Sequence, residues 1–185
     1  ASIVSALPRL AERPSEVGLL DVTVVGAGPA GLALAWKLAA QGLSVALIGR
    51  DLPFTKNYGV WVDEFRAIGK GRVLEYEWEE CLCYFGQDRE VVLKRPYGRV
   101  GRRLLREHLL TKCAEFKVYF QEGEVVQVNA DPVASSSSVL LKSGIRIESR
   151  LINLASGAAA GEFLDFEKGA PRVAAQTAYG IEAVV

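Results

Sequence analysis

The most constraining feature of the sequence is a glycine-rich turn that joins an apolar strand to a helix. Residues 26–31 follow the pattern Gly-x-Gly-x-x-Gly, after the β-branched run at 22–25 and before the Ala- and Leu-rich segment at 32–40. The first glycine permits a tight turn, the second lets the backbone approach a pyrophosphate, and the third lets helix and strand pack closely. A further apolar strand at 44–48 completes a βαβ unit. In this setting the pattern predicts a dinucleotide-binding site.

The predicted phosphate contacts come from the turn and from the first residues of its helix. Backbone N–H groups there lack intrahelical partners and lie at the positive end of the helix dipole, which favours an anionic ligand. The apolar run from 22 to 48 is long enough to suggest a membrane span, but Gly and Pro clusters and Lys37 divide it into shorter pieces. The candidate cofactor-binding residues are Val25, Gly26, Ala27, Gly28, Pro29, Ala30 and Gly31.

Composition argues against several classes of function. A chain of 185 residues can bury one core, so it forms one domain or part of a larger one. Its 22 basic and 22 acidic residues cancel, which gives no electrostatic case for binding nucleic acid or an anionic membrane. The single histidine, His108, lies in a helical stretch, so a His-dependent catalytic triad is not expected. Three cysteines indicate a reducing compartment, and Cys81-x-Cys83 lacks further ligands at metal-binding spacing, so no metal site is predicted.

The end of the second strand leaves the identity of the nucleotide open. A βαβ dinucleotide site usually carries an acidic residue there, which binds the ribose hydroxyls. Gly49 occupies that position, and Arg50 follows it. An arginine at this point suits the 2′-phosphate of NADP, whereas Asp51 reaches a ribose only if the strand end bends.

Beyond this unit the sequence predicts inserted strands and one long helix. The helix opens near 97–103 and places three apolar residues at four-residue spacing on one face. Arg102 or Arg103, at its start, either meets a cofactor phosphate or lies in solvent. The other predicted elements are a loop at 57–65 with a helix start at Asp63, a short helix and connector at 66–80, a polar loop at 135–138, and strands at 81–85, 90–93, 117–120, 124–129, 139–142, 145–148 and 151–154.

A second small-residue segment, at 155–161, follows the last of these strands directly. Small residues let a ligand approach the backbone closely. In a doubly wound sheet, ligands bind at the carboxyl ends of the strands. Both Gly-rich segments are therefore predicted to face the same crevice.

With these segments laid out, the sequence resembles the plant and algal lycopene cyclases, which are flavoproteins of the glutathione-reductase-like FAD fold. NYGVW, PYGRV and QTAYG are far more specific than the glycine motif, and they occur here in the family's order. DLPFT and ASGAAAG are more similar to the ε-cyclase branch than to the β-cyclase branch. The matching segments are VVGAGPAGLALA at 24–35, DLPFTKNYGVWVDEF at 51–65, YGRVGRRLL at 97–105, LASGAAAGEFL at 154–164 and APRVAAQTAYGIE at 170–182.

The resemblance implies an α/β, Rossmann-type FAD/NAD(P)-binding domain with inserted antiparallel strands. Residues 1–20 are then an N-terminal tail, and 21–185 form a partial cyclase domain. The family's second half, with its acidic motifs and the Gly-Asp segment that completes the FAD site, does not occur in this sequence. By position, the three glycines of the turn would hold the FAD pyrophosphate, Arg102 would lie beside the cofactor, and Gly157 would make a second close backbone contact.

The implied activity is a cyclisation without net oxidation that needs FAD reduced by NADPH. An acid protonates one end of lycopene or a related linear carotene, a carbocation forms, the ring closes, and a proton leaves. Which proton leaves decides between ε and β rings. The resemblance also implies a plastid location and a membrane-borne lipid substrate. Asp63, Glu64 and Glu182 lie inside matching motifs, but none is assigned as the catalytic acid.

Two other hypotheses remain open from the sequence. One is a flavin-dependent hydroxylase or reductase of the same fold, against which NYGVW and QTAYG argue. The other is a truncated product that folds in part and lacks catalysis. An open sheet without closing strands would expose edges and apolar surface, which predicts aggregation or partner binding.

Overall fold

The computed structural model describes residues 6–12, 18–86, 89–131, 136–157 and 163. The α-helices are α1 (Pro29–Ala39), α2 (Val62–Ala67) and α3 (Arg102–Glu115). The strands are β1 (Leu20–Val25), β2 (Val45–Gly49), β3 (Gly59–Trp61), β4 (Leu74–Trp78), β5 (Cys81–Tyr84), β6 (Glu90–Leu93), β7 (Tyr97–Val100), β8 (Tyr119–Glu122), β9 (Val125–Asp131), β10 (Ser136–Leu141) and β11 (Arg146–Leu154).

A six-stranded sheet organises the fold, in the order β8-β2-β1-β11-β10-β9. The first four strands are parallel, and β10 and β9 extend the sheet in antiparallel pairing. Successive strand residues point to opposite faces. Val24 therefore joins a core that includes Leu32 of α1 and Leu109 of α3, whereas Val25 and Ile48 join the cluster on the other face. The parallel strands bring their carboxyl ends to one edge, where the glycine-rich turn lies.

The inserted strands form a three-stranded antiparallel sheet, β3-β7-β4, and the separate hairpin β5-β6. Strand β3 contains the last three residues of NYGVW, and strand β7 contains the last four of PYGRV. Two motifs far apart in sequence are therefore neighbours in the fold. Trp61 is the register partner of Tyr97, and their rings meet edge to face with centroids 5.2 Å apart. The Tyr97 ring also occupies the space where a side chain at Gly59 would lie. The two motifs therefore support one another structurally.

Several predicted boundaries are wrong. The loop predicted at 57–65 contains β3, whereas the helix start predicted there at Asp63 is confirmed to within one residue by α2. The predicted connector at 66–80 contains β4. Strand β7 precedes the long helix, which begins at Arg102. The two strands predicted at 145–148 and 151–154 are one continuous strand, β11, and most of the polar loop at 135–138 belongs to β10. In each case strand pairing overrides a polar or glycine-containing local sequence.

Residues 6–12 fall within the segment predicted as a tail, and they contact the main sheet. Leu7 is only 3% exposed and belongs to the core shared with α1 and α3. The Phe120 N–H donates to the Pro8 carbonyl at 2.8 Å, beside a parallel bridge between Arg9 and Phe120. This segment therefore covers part of the edge at β8.

The apolar run from 22 to 48 forms β1, α1 and β2, as predicted, and not one long helix. No α-helix in the described ranges combines the length and the apolarity needed to cross a bilayer.

Candidate dinucleotide-binding site

A cavity of about 690 Å³ opens at the carboxyl ends of β1, β2 and β11. The glycine-rich turn forms one wall of it, and the segment after β11 forms another. Of the predicted cofactor-binding residues, Gly31 and Arg102 do not line this cavity. Those that line it are Val25, Gly26, Ala27, Gly28, Pro29, Ala30 and Gly157.

The first and third glycines of the turn are required by packing. Gly26 has φ +118°, and a Cβ on it would lie 2.5 Å from the Ala155 carbonyl oxygen. A Cβ on Gly31 would overlap the Gly26 carbonyl oxygen. These contacts hold α1 tightly against β1 and β11. Gly31 therefore affects the cavity indirectly, because it allows the close packing that positions the glycine-rich turn.

The second glycine is different, because its side-chain direction is open. A Cβ on Gly28 would meet no described heavy atom within 4 Å. Gly28 is the N-cap of α1, and Pro29 follows at the first helical position. The N–H groups of the first turn have no intrahelical acceptor and favour a phosphate. The turn thus has the shape and the donors that a pyrophosphate requires.

The segment after β11 meets the turn, as the sequence predicted. The Ala155 N–H donates to the Val25 carbonyl at 2.7 Å, which continues the pairing of β1 with β11. Gly157 has φ +67° and lines the cavity. Ser156 lines the same cavity, and its hydroxyl oxygen is buried and has no hydrogen-bond partner among the described residues. An unpaired buried hydroxyl beside an open glycine fits a bound phosphate or ribose oxygen.

The end of β2 presents a cation to the cavity. Arg50 lines it, whereas the Asp51 carboxylate lies against the guanidinium of Arg106 on α3 and is not part of the lining. The Cβ of a residue at position 49 would lie 2.8 Å from the Ala27 nitrogen. The strand end therefore has no room for a side chain at Gly49, and Asp51 does not bend toward the site.

Arg102 and Arg106 bind the loop that forms the outer wall of the cavity. Arg102 Nη1 donates to the Thr55 carbonyl at 2.9 Å, and Arg106 Nε donates to the Leu52 carbonyl at 3.1 Å. Arg103 pairs instead with Glu107 on its own helix at 2.8 Å, and its side chain is exposed. Arg102 lies behind the wall, and its place beside the cofactor stays a prediction. Sequence reasoning missed the anchoring role of Arg106, for which the i, i+4 spacing from Arg102 was the available signal.

The candidate acids of α2 form an exposed ion-pair cluster. Arg95 Nη2 lies 3.0 Å from Asp63 Oδ2 and also pairs with Glu64. Its guanidinium stacks over the Trp61 ring, 4.6 Å from the centroid. Hydrogen bonding from Arg95 lowers the pKa of the Asp63 carboxyl, which favours its ionised form. Asp63 is therefore poorly suited to donate a proton here, and Glu182 lies outside the described residues.

The histidine and the cysteines lie apart from the cavity. His108, on α3, contacts Lys70, and burial followed by the charges of Lys70 and Lys112 lowers its pKa. Burial raises the pKa of the Cys113 thiol to about 12, and its Sγ donates to the Leu32 carbonyl. None of these side chains lines the site.

Comparison with known sequences gives one consistent family. A family model described as lycopene cyclase protein matches residues 21–185. The capsanthin/capsorubin synthase of Capsicum annuum is 36% identical over 168 residues, covering 89% of this chain and 33% of that protein. The lycopene beta cyclase of the same plant is 37% identical over 146 residues, covering 78% of this chain and 29% of that protein. The chain spans about a third of the length of the curated relatives it matches.

Comparison with solved structures supports the fold. A flavin-dependent brominase superposes with a TM-score of 0.58 at 20% identity, covering 75% of this chain and 38% of that chain. A likeness at this identity concerns the fold alone. The predicted Rossmann-type α/β fold of FAD-dependent enzymes, with inserted antiparallel strands, is therefore confirmed.

Proposed function

The chain belongs to the lycopene cyclase family, and from this premise we propose that it forms the FAD-binding part of an enzyme that closes the ends of lycopene, or of a related linear carotene, into ionone rings. The observation that carries the proposal is the cavity lined both by Gly28, whose side-chain direction is open, and by Ser156, whose hydroxyl has no hydrogen-bond partner among the described residues. Because the chain spans about a third of its relatives, the activity, substrate and partners of the whole protein are part of the proposal.

Different residues of the site hold different parts of the cofactor. The N–H groups at the start of α1 bind the pyrophosphate, and Gly28 lets it approach the backbone. Ser156 and Gly157 line the opposite side, and Arg102 and Arg106 hold the loop that forms the outer wall. When bound and reduced by NADPH, FAD would supply negative charge beside the carbocation of ring closure. A cation in an apolar site requires such charge and few nucleophilic waters.

The finer parts of the proposal rest on the motifs and the relatives. DLPFT and ASGAAAG favour ε rings, although one of the relatives from Capsicum annuum is named a lycopene beta cyclase. Relatives named chloroplastic or chromoplastic support a plastid location. A hydrophobic carotene is expected to reach the enzyme from a membrane. Arg102 is expected to act on the cofactor site through the Thr55 carbonyl of the outer wall.

The first test is retention of FAD by the purified chain and by Gly28→Ala. The parent is expected to retain flavin after gel filtration. Alanine at position 28 meets no described atom, so the variant is expected to fold normally and to bind FAD at least about tenfold more weakly, because its methyl group occupies the phosphate's approach. Fluorescence titration measures the affinity, and thermal unfolding measures the fold.

The matched control is Gly31→Ala, whose methyl group overlaps the Gly26 carbonyl instead. Overpacking of this kind is expected to lower the free energy of unfolding by about 1–3 kcal/mol. Equal flavin affinity in the parent and Gly28→Ala would contradict the assigned site.

Product analysis separates the remaining hypotheses. The purified chain is incubated with lycopene, FAD and NADPH, and ε-ionone rings formed without stoichiometric consumption of NADPH would support the cyclase. Oxygenated or reduced product matched by NADPH use would favour a hydroxylase or reductase. Flavin retention without ring formation would favour a non-catalytic fragment.

A further inference from the structure

The cavity lacks the ribose-binding acid that a βαβ dinucleotide site usually carries at the end of its second strand. A side chain at Gly49 would collide with Ala27, whose nitrogen lies 2.8 Å from the position that a Cβ would take. Asp51 is the next carboxylate, but Arg106 binds it on the α3 side. A ribose placed at this end of the cavity therefore needs an acceptor from another strand.

Strand β8 brings one carboxylate to the same place. It pairs in parallel with β2, with Glu122 in register with Gly49. The chain then turns at Gly123, whose N–H donates to the Gly49 carbonyl at 3.3 Å. Glu124 follows directly and lines the cavity. Among the described residues that line the cavity, Glu124 is the sole carboxylate.

The Glu124 backbone is held by a hydrogen bond, whereas its carboxylate makes only a long, exposed ion pair. The Lys142 N–H donates to the Glu124 carbonyl at 2.8 Å, which anchors the residue to the end of β10. The Lys142 ammonium lies 3.7 Å from Glu124 Oε2, and the two side chains are 73% and 65% exposed. An ion pair this long and this exposed contributes little stability. The carboxylate can therefore accept hydrogen bonds from a ligand at small cost.

We propose that Glu124 replaces the missing strand-end acid and accepts hydrogen bonds from the 2′- and 3′-hydroxyls of the adenosine ribose. This assignment rests on the proposed function of the cavity as an FAD site. A carboxylate at this position repels a 2′-phosphate, so the cavity selects an unphosphorylated ribose over that of NADP(H). Arg50, which lines the same end, is left to face the pyrophosphate rather than a 2′-phosphate.

The test compares the parent with Glu124→Gln, using FAD, its 2′-deoxyadenosine analogue and NADPH as probes. Fluorescence titration gives the flavin affinities, and displacement of bound FAD gives that of NADPH. The variant is expected to bind FAD about tenfold more weakly, because a charged hydrogen bond is lost. The decrease in affinity caused by Glu124→Gln is expected to be smaller for the deoxy analogue than for FAD. NADPH is expected to displace FAD from the variant more readily than from the parent.

Two control variants isolate the effect. Glu122→Gln removes an exposed acid from the end of β8 that does not line the cavity, and Lys142→Gln removes the ion-pair partner. Both are expected to bind FAD like the parent, and thermal unfolding confirms that each variant folds.

The outcomes distinguish this inference from the proposal on which it rests. A parent that binds FAD, together with an unchanged affinity in Glu124→Gln, overturns the role of Glu124 alone. An equal loss of affinity for FAD and for the deoxy analogue also overturns it, because the carboxylate then does not contact the 2′-hydroxyl. A parent that retains no FAD overturns the cofactor site and, with it, the role of Glu124.

Discussion

At the scale of single residues, a reciprocal hydrogen-bond pair sets the register of the two strands beside the site. The Asp21 carboxylate accepts from the Ser44 N–H and hydroxyl, both at 2.8 Å, and the Ser44 hydroxyl accepts from the Asp21 N–H at 2.9 Å. Backbone bonds from Asp21 and Val22 to the Ser44 carbonyl complete the contact. The pair fixes where β2 begins relative to β1, and therefore where both strands end at the cavity.

This pair makes stability sensitive to acid. The Ser44 N–H, then its hydroxyl, lowers the pKa of the Asp21 carboxyl below its ordinary value of 3.8. Because the folded state holds the carboxylate more strongly than the unfolded state does, the stabilisation is present above pH 3.8 and is lost as pH falls through the lower, folded-state pKa. Asp21→Asn is expected to lower the free energy of unfolding at pH 7 by about 1 kcal/mol.

Urea unfolding of the parent and Asp21→Asn at pH 7 and at a series of pH values below 3.8 measures this dependence. The difference in the free energy of unfolding between the two proteins is expected to narrow steadily as pH falls below 3.8 toward the lower, folded-state pKa of the Asp21 carboxyl. Ser44→Ala serves as the control that keeps the carboxylate and removes one donor. A difference that stays equal over the whole series would contradict the role of the charge.

Glycines in the turn show how one residue type carries two functions. Gly26 and Gly31 are required because other protein atoms occupy their side-chain positions. Gly28 is required by no described protein atom, so its role is expected to depend on the ligand. The motif alone does not separate these two requirements, whereas the packing around each Cβ position does.

At the scale of elements, α3 positions the outer wall of the cavity through one row of arginines. Arg102 and Arg106 are four residues apart, lie on one face, and bind the carbonyls of Thr55 and Leu52. Arg106 also binds the Asp51 carboxylate, and this pair is mostly buried. The loop after β2, residues 50–58, contains no helix or strand, so these hydrogen bonds hold its shape.

Removal of the Arg106 guanidinium is therefore expected to loosen the wall. Arg106→Gln is expected to lower the free energy of unfolding by about 1–3 kcal/mol, because a buried charged pair loses one partner. It is expected to weaken FAD binding several-fold, because the Asp51 carboxylate loses the guanidinium that holds it on the α3 side and the wall becomes looser. Urea unfolding and flavin titration measure the two effects.

Arg103→Gln is the matched control on the same helix. Arg103 is 77% exposed and pairs only with Glu107 in the described structure, so its loss is expected to cost less than about 0.5 kcal/mol. It is expected to leave flavin affinity unchanged. If Arg106→Gln lowers stability and flavin affinity no more than Arg103→Gln does, the wall keeps its shape without Arg106.

The elements differ in how well the sequence predicts them. The βαβ unit is predictable because its apolar runs and glycines agree with its tertiary environment. Strand β4 is not predictable in this way. In Leu74–Trp78 glutamates alternate with apolar and aromatic residues, and the strand is largely exposed on both faces. Strand β11 is interrupted in sequence by polar residues, yet Ser149 is fully buried and satisfied by the Leu151 carbonyl. Pairing with β1 and β10, which no local pattern encodes, makes it continuous.

The site divides in the same way. Its phosphate-binding turn is local in sequence, and the motif predicts it. Ser156 and Glu124 enter the cavity from the segments that follow β11 and β8, and the order of strands in the sheet brings them there. Neither residue type stands out in its segment, so only the folded arrangement identifies them.

At the scale of the whole molecule, apolar surface is distributed unevenly. The main sheet packs against α1 and α3 on one face and has a second apolar cluster on the other. The hairpin β5-β6 stands apart, with each strand paired only to the other among the described residues. An isolated two-stranded hairpin is marginally stable in water. Its large exposed apolar side chains are Leu82, Tyr84, Phe85, Val92 and Leu93.

This hairpin is expected to drive weak self-association of the purified chain. Open strand edges and a contiguous apolar patch are the usual features of a surface that pairs with a second copy. Phe85 is 80% exposed and lies at the end of β5, so Leu82→Thr combined with Phe85→Ser removes apolar area without touching the core. Sedimentation velocity over a concentration series is expected to show a concentration-dependent increase for the parent and a smaller one for the variant.

Ile68→Ser provides the comparison that makes the result specific. Ile68 is 65% exposed and apolar like the hairpin residues, but it lies beyond the end of α2 and outside the hairpin. A single exposed apolar side chain is common on soluble proteins and is not expected to drive association. The same sedimentation in the parent and in both variants would place any contact elsewhere. A parent that stays monomeric at every concentration would show that the exposed hairpin does not pair with a second copy.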